Sequence, residues 1–216
     1  MIVITAATGD MKDLVIGQAK RVYSFEYDHR IFDFGGLGFG IPYRVDPLDI
    51  APVPGIHAPR CLFKIDLLLS CFEENNTLCW LDADCLPLKE FEIDGVFDAA
   101  VTLRPSSEIG KSGMFNHDYI NAGVIWIRSR KFLDHWRQRS VIHQNDQGGL
   151  NDLIGEGMSV EEWRKSMNST IITKHDGFKV RILNAMKWNC WHIPPVEDTR
   201  IMHFKKGIRR AASNYL

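Results

Sequence analysis

Leu78-Cys79-Trp80-Leu81-Asp82-Ala83-Asp84-Cys85-Leu86 is the stretch whose reading decides the fold. Apolar, strand-forming residues run up to two aspartates set one residue apart. Such a run reads as a buried parallel strand, because a strand covered on both faces needs no polar alternation. Asp82 and Asp84 are then expected at its carboxyl edge, where open α/β sheets receive ligands. Two hard oxygen donors at that spacing suit Mg²⁺ or Mn²⁺ carrying a diphosphate. A strand that merely stops in a polar turn gives the same pattern, so the pair needs context.

The totals narrow that context. With 216 residues, 45% hydrophobic and 25% charged, the chain suits one α/β domain spanning 1–216, which could belong to a longer protein. Its net charge of −1 argues against a general nucleic-acid or membrane-surface binder and leaves a small, selective ligand. Five cysteines (Cys61, Cys71, Cys79, Cys85, Cys190) lack a Cys-x-x-Cys pair and mostly fall in apolar segments, so a reducing, cytoplasmic compartment is expected. Neither a signal peptide nor a run of about twenty apolar residues is present. The basic end, Lys205 to Arg210, could still touch an anionic membrane or a phosphate as a peripheral contact.

Working outward, Ile2-Val3-Ile4-Thr5 reads as a first strand, and the small residues Ala6-Ala7-Thr8-Gly9 after it let a ligand approach the backbone. Leu14, Ala19, Val22 and Phe25 predict a helix, and Arg30 to Phe34 a second strand, completing a βαβ unit. The glycines of Gly35 to Gly40 open no amphipathic helix, so they read as a turn. Tyr43-Arg44-Val45 predicts a short strand, followed by a proline-rich passage to Pro59 in which no regular element is expected. A helix over 60–74 feeds the Asp-x-Asp strand, and its Lys64 is either a solvated lysine or one that reaches a phosphate.

Beyond the aspartates, Phe97 to Leu103 predicts a strand and 104–119 a loop of lid length. Ile120 to Ile127 is a strand whose Asn121 and Gly123 imply a bulge or a close ligand. Lys131 to Ile142 reads as a helix, and a second begins near Asp146-Gln147, with Asn145 or Asp146 as its cap. Further helix is expected over 160–167, then strands at 170–173 and 178–183, an aromatic loop with Trp188 and Trp191, and a last strand ending in His203. By itself His203 is as readily a core or solvent histidine as a ligand.

Together these motifs resemble the GT-A-fold nucleotide-sugar glycosyltransferases, most closely the glycogenin and lipopolysaccharide galactosyltransferase group. The resemblance implies a single Rossmann-like mixed sheet flanked by helices and extends over nearly the whole chain. It matches Ala6-Ala7-Thr8 to the nucleoside loop, Lys64 to a diphosphate lysine, and Asp82 and Asp84 to the Asp-x-Asp motif, with Asp82 also near the diphosphate. Asn121-Ala122-Gly123 and Asp146-Gln147 match the sugar-binding strand and helix start, and Trp188-Asn189 a late Trp-Asn pair placed near sugar or acceptor. His203 matches the metal histidine, with Lys206, Gly207 and, more loosely, Arg210 as the phosphate loop. Thr8 stands where an acidic residue is often found, the His-to-Gly interval is one residue longer than usual, and the usual C-terminal extension is missing.

The implied reaction is metal-dependent hexosyl transfer from a nucleotide-diphosphate sugar, with UDP as the nucleotide, to a saccharide or other hydroxyl acceptor with retention. Asp82, Asp84 and His203 would hold Mn²⁺ or Mg²⁺, and Asp146 and Gln147 would be the catalytic pair gripping the sugar. Two other readings compete: a phosphatase of the haloacid dehalogenase type, whose Asp-x-Asp lies near the N-terminus, and a non-catalytic nucleotide-sugar-binding module.

Overall fold

A computed structural model describes residues 1–38, 45–47, 59–74, 76–103, 120–155, 171–205 and 209–216, by backbone alone at 45–47, 59–61 and 171–175. The expected loop at 104–119 and helix at 160–167 lie outside the described residues, as do Lys206 and Gly207.

The chain opens with β1 (Ile2–Ala7), α1 (Lys12–Ser24), β2 (Asp28–Asp33) and β3 (Val45–Pro47). Then come α2 (Pro59–Ser70), β4 (Leu78–Leu81), β5 (Cys85–Pro87), β6 (Ala99–Leu103) and β7 (Ile120–Ile127). Helices α3 (Arg130–His143) and α4 (Asp146–Gly155) follow, then β8 (Ile171–His175), β9 (Phe178–Leu183) and β10 (Ile201–His203). Eight of these strands form one sheet in the order β3-β2-β1-β4-β7-β6-β9-β8, and β10 pairs with β5 in a two-stranded ribbon. β1 runs parallel to β2 and β4, whereas β7 is antiparallel to both β4 and β6, so the sheet is mixed.

Two expectations shift. The strand read through Leu86 ends at Leu81, and Cys85–Pro87 leaves the main sheet to pair with Ile201–His203. The Asp-x-Asp lies in the turn between, closed by the Cys85 amide donating to the Asp82 carbonyl at 2.9 Å. A central strand cannot accept that turn without leaving its ladder, and the apolar side chains of 85–87 find a second one. The proline-rich passage also holds β3, two residues later than the strand expected at 43–45, registered on Ile31–Asp33.

Alternating side chains divide the core between the sheet's two faces, as a pleat with period two requires. Ile2, Ile4, Leu78 and Trp80 pack with Ile65 and Leu68 of α2 and with Phe132, Trp136 and Leu150 of α3 and α4. Val3, Cys79 and Leu81 pack the other way, with Val22 of α1, Phe91 and Trp126. Trp136 is fully buried and its indole Nε1 donates to the Asp146 carbonyl at 2.7 Å, which fixes where α4 begins. Truncating a side chain like this costs about 3–5 kcal/mol. The cysteines Cys71, Cys79, Cys85 and Cys190 are free and buried, behaving as small core residues.

Candidate active site

Two of the three expected metal ligands, Asp84 and His203, come together beyond the carboxyl end of β4. Asp84 meets His203 from β10 (Oδ1 to Nε2, 3.2 Å) and Arg209 from the turn after it (Oδ2 to Nη2, 3.1 Å). Burial pushes the Asp84 carboxyl up, but the His203 and Arg209 hydrogen bonds and charges outweigh it, leaving the acid below its ordinary value and ionised. Asn189 donates through Nδ2 to Thr102 Oγ1 (2.8 Å), so its Oδ1 is the atom facing His203 Nδ1 at 2.9 Å. That network accounts for the Nδ1 proton and turns Nε2 toward Asp84, the nitrogen that a bound metal would take in place of the carboxylate contact.

Gly123 tests whether these groups fit a metal. A Cβ there would lie 2.5 Å from His203 Cε1, 2.9 Å from Asn121 Oδ1 and 3.0 Å from Asp82 Oδ2. Only glycine lets the imidazole and the Asp82 carboxylate converge, and two carboxylates with one imidazole form a donor set suited to Mn²⁺ or Mg²⁺. Among the described residues the group whose ligand atoms lie within one ion's reach is Asp84, Cys85 and His203, with Asp82 outside it. Burial and then the Asp84 and Asp82 charges raise the Cys85 thiol well above its ordinary value, and it donates to the Gly123 carbonyl at 3.7 Å. In that state the thiol packs as a small core residue.

Behind this cluster Lys64 joins three elements. Its ammonium lies 3.2 Å from Asp82 Oδ1, 3.1 Å from Asp146 Oδ2 and 2.7 Å from the Ala122 carbonyl. An ammonium has three donors, and here each meets an oxygen, so Lys64 ties the two carboxylates to β7. Burial disfavours its charge, but Asp146 and Asp82 overcome this and hold the pKa above its ordinary value. The Ala122 carbonyl is available because β7 slips out of register with β6: Val101 pairs with Ile125 but Thr102 with Asn121. Of the two sequence readings of Asn121 and Gly123, the bulge is thus present, and it presents backbone to the site.

The surface opens as two lobes meeting at Phe34, Asp82 and His203. One, of about 440 Å³, is lined by Lys64, Trp80, Asn121, Asp146, Gln147 and Lys205, among others. The other, of about 310 Å³, is lined by Ala6, Ala7, Thr8, Met11, Asp84 and Arg209, among others. Asn145 caps α4 through its Oδ1, which accepts from the amides of Gln147 (2.8 Å) and Gly148 (3.1 Å), placing Asp146 and Gln147 at the lobe wall.

Trp188 is not brought to this cleft. It packs edge-on against Trp126 at 5.6 Å and lines a separate pocket with Tyr27, Arg181 and Arg200. Its neighbour Asn189 turns inward instead. Lys205 and Arg209, read from the sequence only as part of a basic end, line the cleft, and so do Phe34 and Trp80, which the sequence reading left out; the Trp80 Nε1 donates to Asp82 Oδ1 at 2.6 Å.

A mixed sheet whose central strand delivers an Asp-x-Asp turn to a two-lobed cleft is the GT-A glycosyltransferase fold. Among solved structures, a glycosyltransferase involved in glycosylating the major capsid of the virus PBCV-1 aligns with 100% of this chain and 98% of its own, at a TM-score of 0.53 and 11% identity. The galactosyltransferase LgtC, solved with donor and acceptor sugar analogues, aligns over 95% of this chain and 87% of its own, at a TM-score of 0.48 and 17% identity. No protein-family model matches the sequence, and no curated protein matches it.

Proposed function

We propose that this protein is a metal-dependent hexosyltransferase that moves a sugar from a UDP-sugar to a hydroxyl of a saccharide or other acceptor, with retention of configuration. The observation that carries this reading is that His203 meets Asp84 at 3.2 Å and, across the Cβ-free side of Gly123, also faces Asp82, at the junction of two lobes. Asp82, Asp84 and His203 would hold Mn²⁺ or Mg²⁺, which when bound neutralises diphosphate charge as the leaving group departs.

The chain's own groups divide the remaining work. Ala6 and Thr8 line the nucleoside lobe, and Arg209 supplies positive charge beside Asp84 at the diphosphate. By the family resemblance Lys206 and Gly207 extend that phosphate loop. Asn121, Asp146 and Gln147 face the sugar, with Lys64 holding Asp146 and Asp82 in fixed relation. Every carboxylate among the described lining residues already has partners: Asp82 has Lys64 and Trp80, Asp84 has His203 and Arg209, and Asp146 has Lys64. None of the three is singled out as a covalent nucleophile, and we read the step as same-face attack of the acceptor with the departing phosphate as base.

The test is calorimetric titration of UDP-sugars and other nucleotide sugars with and without Mn²⁺, followed by product analysis with saccharide acceptors. Mn²⁺-dependent binding with transfer is the expected result. Binding without hydrolysis or transfer across a wide acceptor set would indicate a binding module, and phosphate release from small phosphomonoesters would indicate the phosphatase.

A further inference from the structure

Gln18 is a fully buried amide in the middle of α1, among the apolar residues Val15, Ala19 and Val22. Its Nε2 donates to two carbonyls at once, Asp82 (3.0 Å) and Cys85 (2.7 Å). Those residues begin and end the turn that carries the aspartates, as the Cys85 amide donates back to the Asp82 carbonyl. One carboxamide therefore spans the turn's mouth.

The orientation of that carboxamide is determined by its surroundings. Two acceptors on one side require Nε2 there, so Oε1 faces Thr5 Oγ1, which donates to it at 2.7 Å. Thr5 has then spent its proton and accepts from His29 Nε2 at 3.1 Å, which assigns the His29 proton to Nε2. Burial drives the His29 pKa down to about 3, so the ring stays neutral. The result is a one-way chain of donors from β2 through β1 and α1 to the turn, with Thr5 fully buried and His29 nearly so. A buried chain of this kind polarises along its length and admits one arrangement.

We infer that Gln18 is a positioning residue for the Asp82 and Asp84 carboxylates, acting through the turn's carbonyls with its own orientation set by Thr5. The inference rests on the proposed metal-dependent reading, but its central claim, that the turn is held from α1, is tested separately. The experiment compares wild type with Gln18→Met, close in volume but without an amide, by hydrogen exchange at Ala83–Cys85 and by Mn²⁺ affinity. Exchange in the turn should rise about tenfold while that of Val124–Ile127 is unchanged, and Mn²⁺ should bind about tenfold more weakly. Thr5→Val should move both readouts the same way by less, and Thr5→Ser, which keeps the hydroxyl, should restore them.

Unchanged exchange in the turn overturns the inference, and so does a loosened turn with wild-type Mn²⁺ affinity. If wild type binds no Mn²⁺, the proposed function loses its metal, while a turn loosened by Gln18→Met still upholds the clamp. Should Gln18→Met fail to fold, Thr5→Val against Thr5→Ser decides by the same measurements.

Discussion

The two lobes of the cleft are built differently away from the seam they share. On the Lys64 side, charged and amide groups from α2, β4, β7 and α4 hold one another: Lys64 binds Asp82, Asp146 and the Ala122 carbonyl, and Asn145 fixes the start of α4. On the Thr8 side the small residues Ala6, Ala7 and Ala83 stand beside Asp84, His203 and Arg209, and the Thr8 hydroxyl turns to the neighbouring Asp10. Here the loops approach closely because Gly9 abuts Gly36, where a Cβ would fall 2.4 Å from a carbonyl oxygen. A lobe of locked charges suits chemistry, since its groups need not reorganise as charge develops. A lobe of small side chains and backbone suits a flat, neutral group chosen mainly by shape.

Changes at the seam between the lobes should do most damage. Asp84→Ala is expected to lower transfer at least about a thousandfold while near-native circular dichroism persists, because a ligand is lost but no core is disturbed. Wild-type rates from that protein would refute the metal assignment. Gly123→Ala places a methyl group against His203 Cε1 and should cost about a hundredfold in turnover, with a matching loss of Mn²⁺ affinity. Unaltered Mn²⁺ binding would mean that the close approach around Gly123 serves packing alone.

Local pattern made one side of this comparison legible and left the other obscure. The apolar run of 120–127 gave β7 to the residue, and Asp82, Asp84, Asn121 and Asp146 stood at ends of elements that periodicity places. Arg209 and Lys205 reach the cleft only because β10 folds back on β5 and the following turn buries Ala212 against Leu86, Met202 and Phe204. No spacing in the sequence encodes that return. In the Trp188-Asn189 pair, the aromatic residue drew attention, yet the hydrogen bond to His203 comes from the amide, because the helical turn Ala185–Trp188 points the indole to Trp126. Gln18 did leave a sign, a polar residue on the apolar stripe of α1, which a count of buried polar candidates would have found.

Smaller effects distinguish the lobes from each other. Gln147→Ala removes a group beside Asp146 and should lower turnover about ten- to a hundredfold with little change in donor affinity, since its contact strengthens as the sugar flattens. A change confined to affinity would make the Lys64 lobe a binding surface and erase the contrast. Thr8→Ala should do the reverse and by less: the hydroxyl is one neutral hydrogen-bonding group, worth about three- to tenfold in the dissociation constant of the nucleotide. Its neighbours Ala6 and Ala7 already present little but backbone, so the nucleoside would keep most of its contact surface and turnover at saturating donor should hold. Equal losses of turnover from Thr8→Ala and Gln147→Ala would show that both lobes tighten together in the transition state, and that the small-residue wall takes part in the chemistry instead of only selecting what enters.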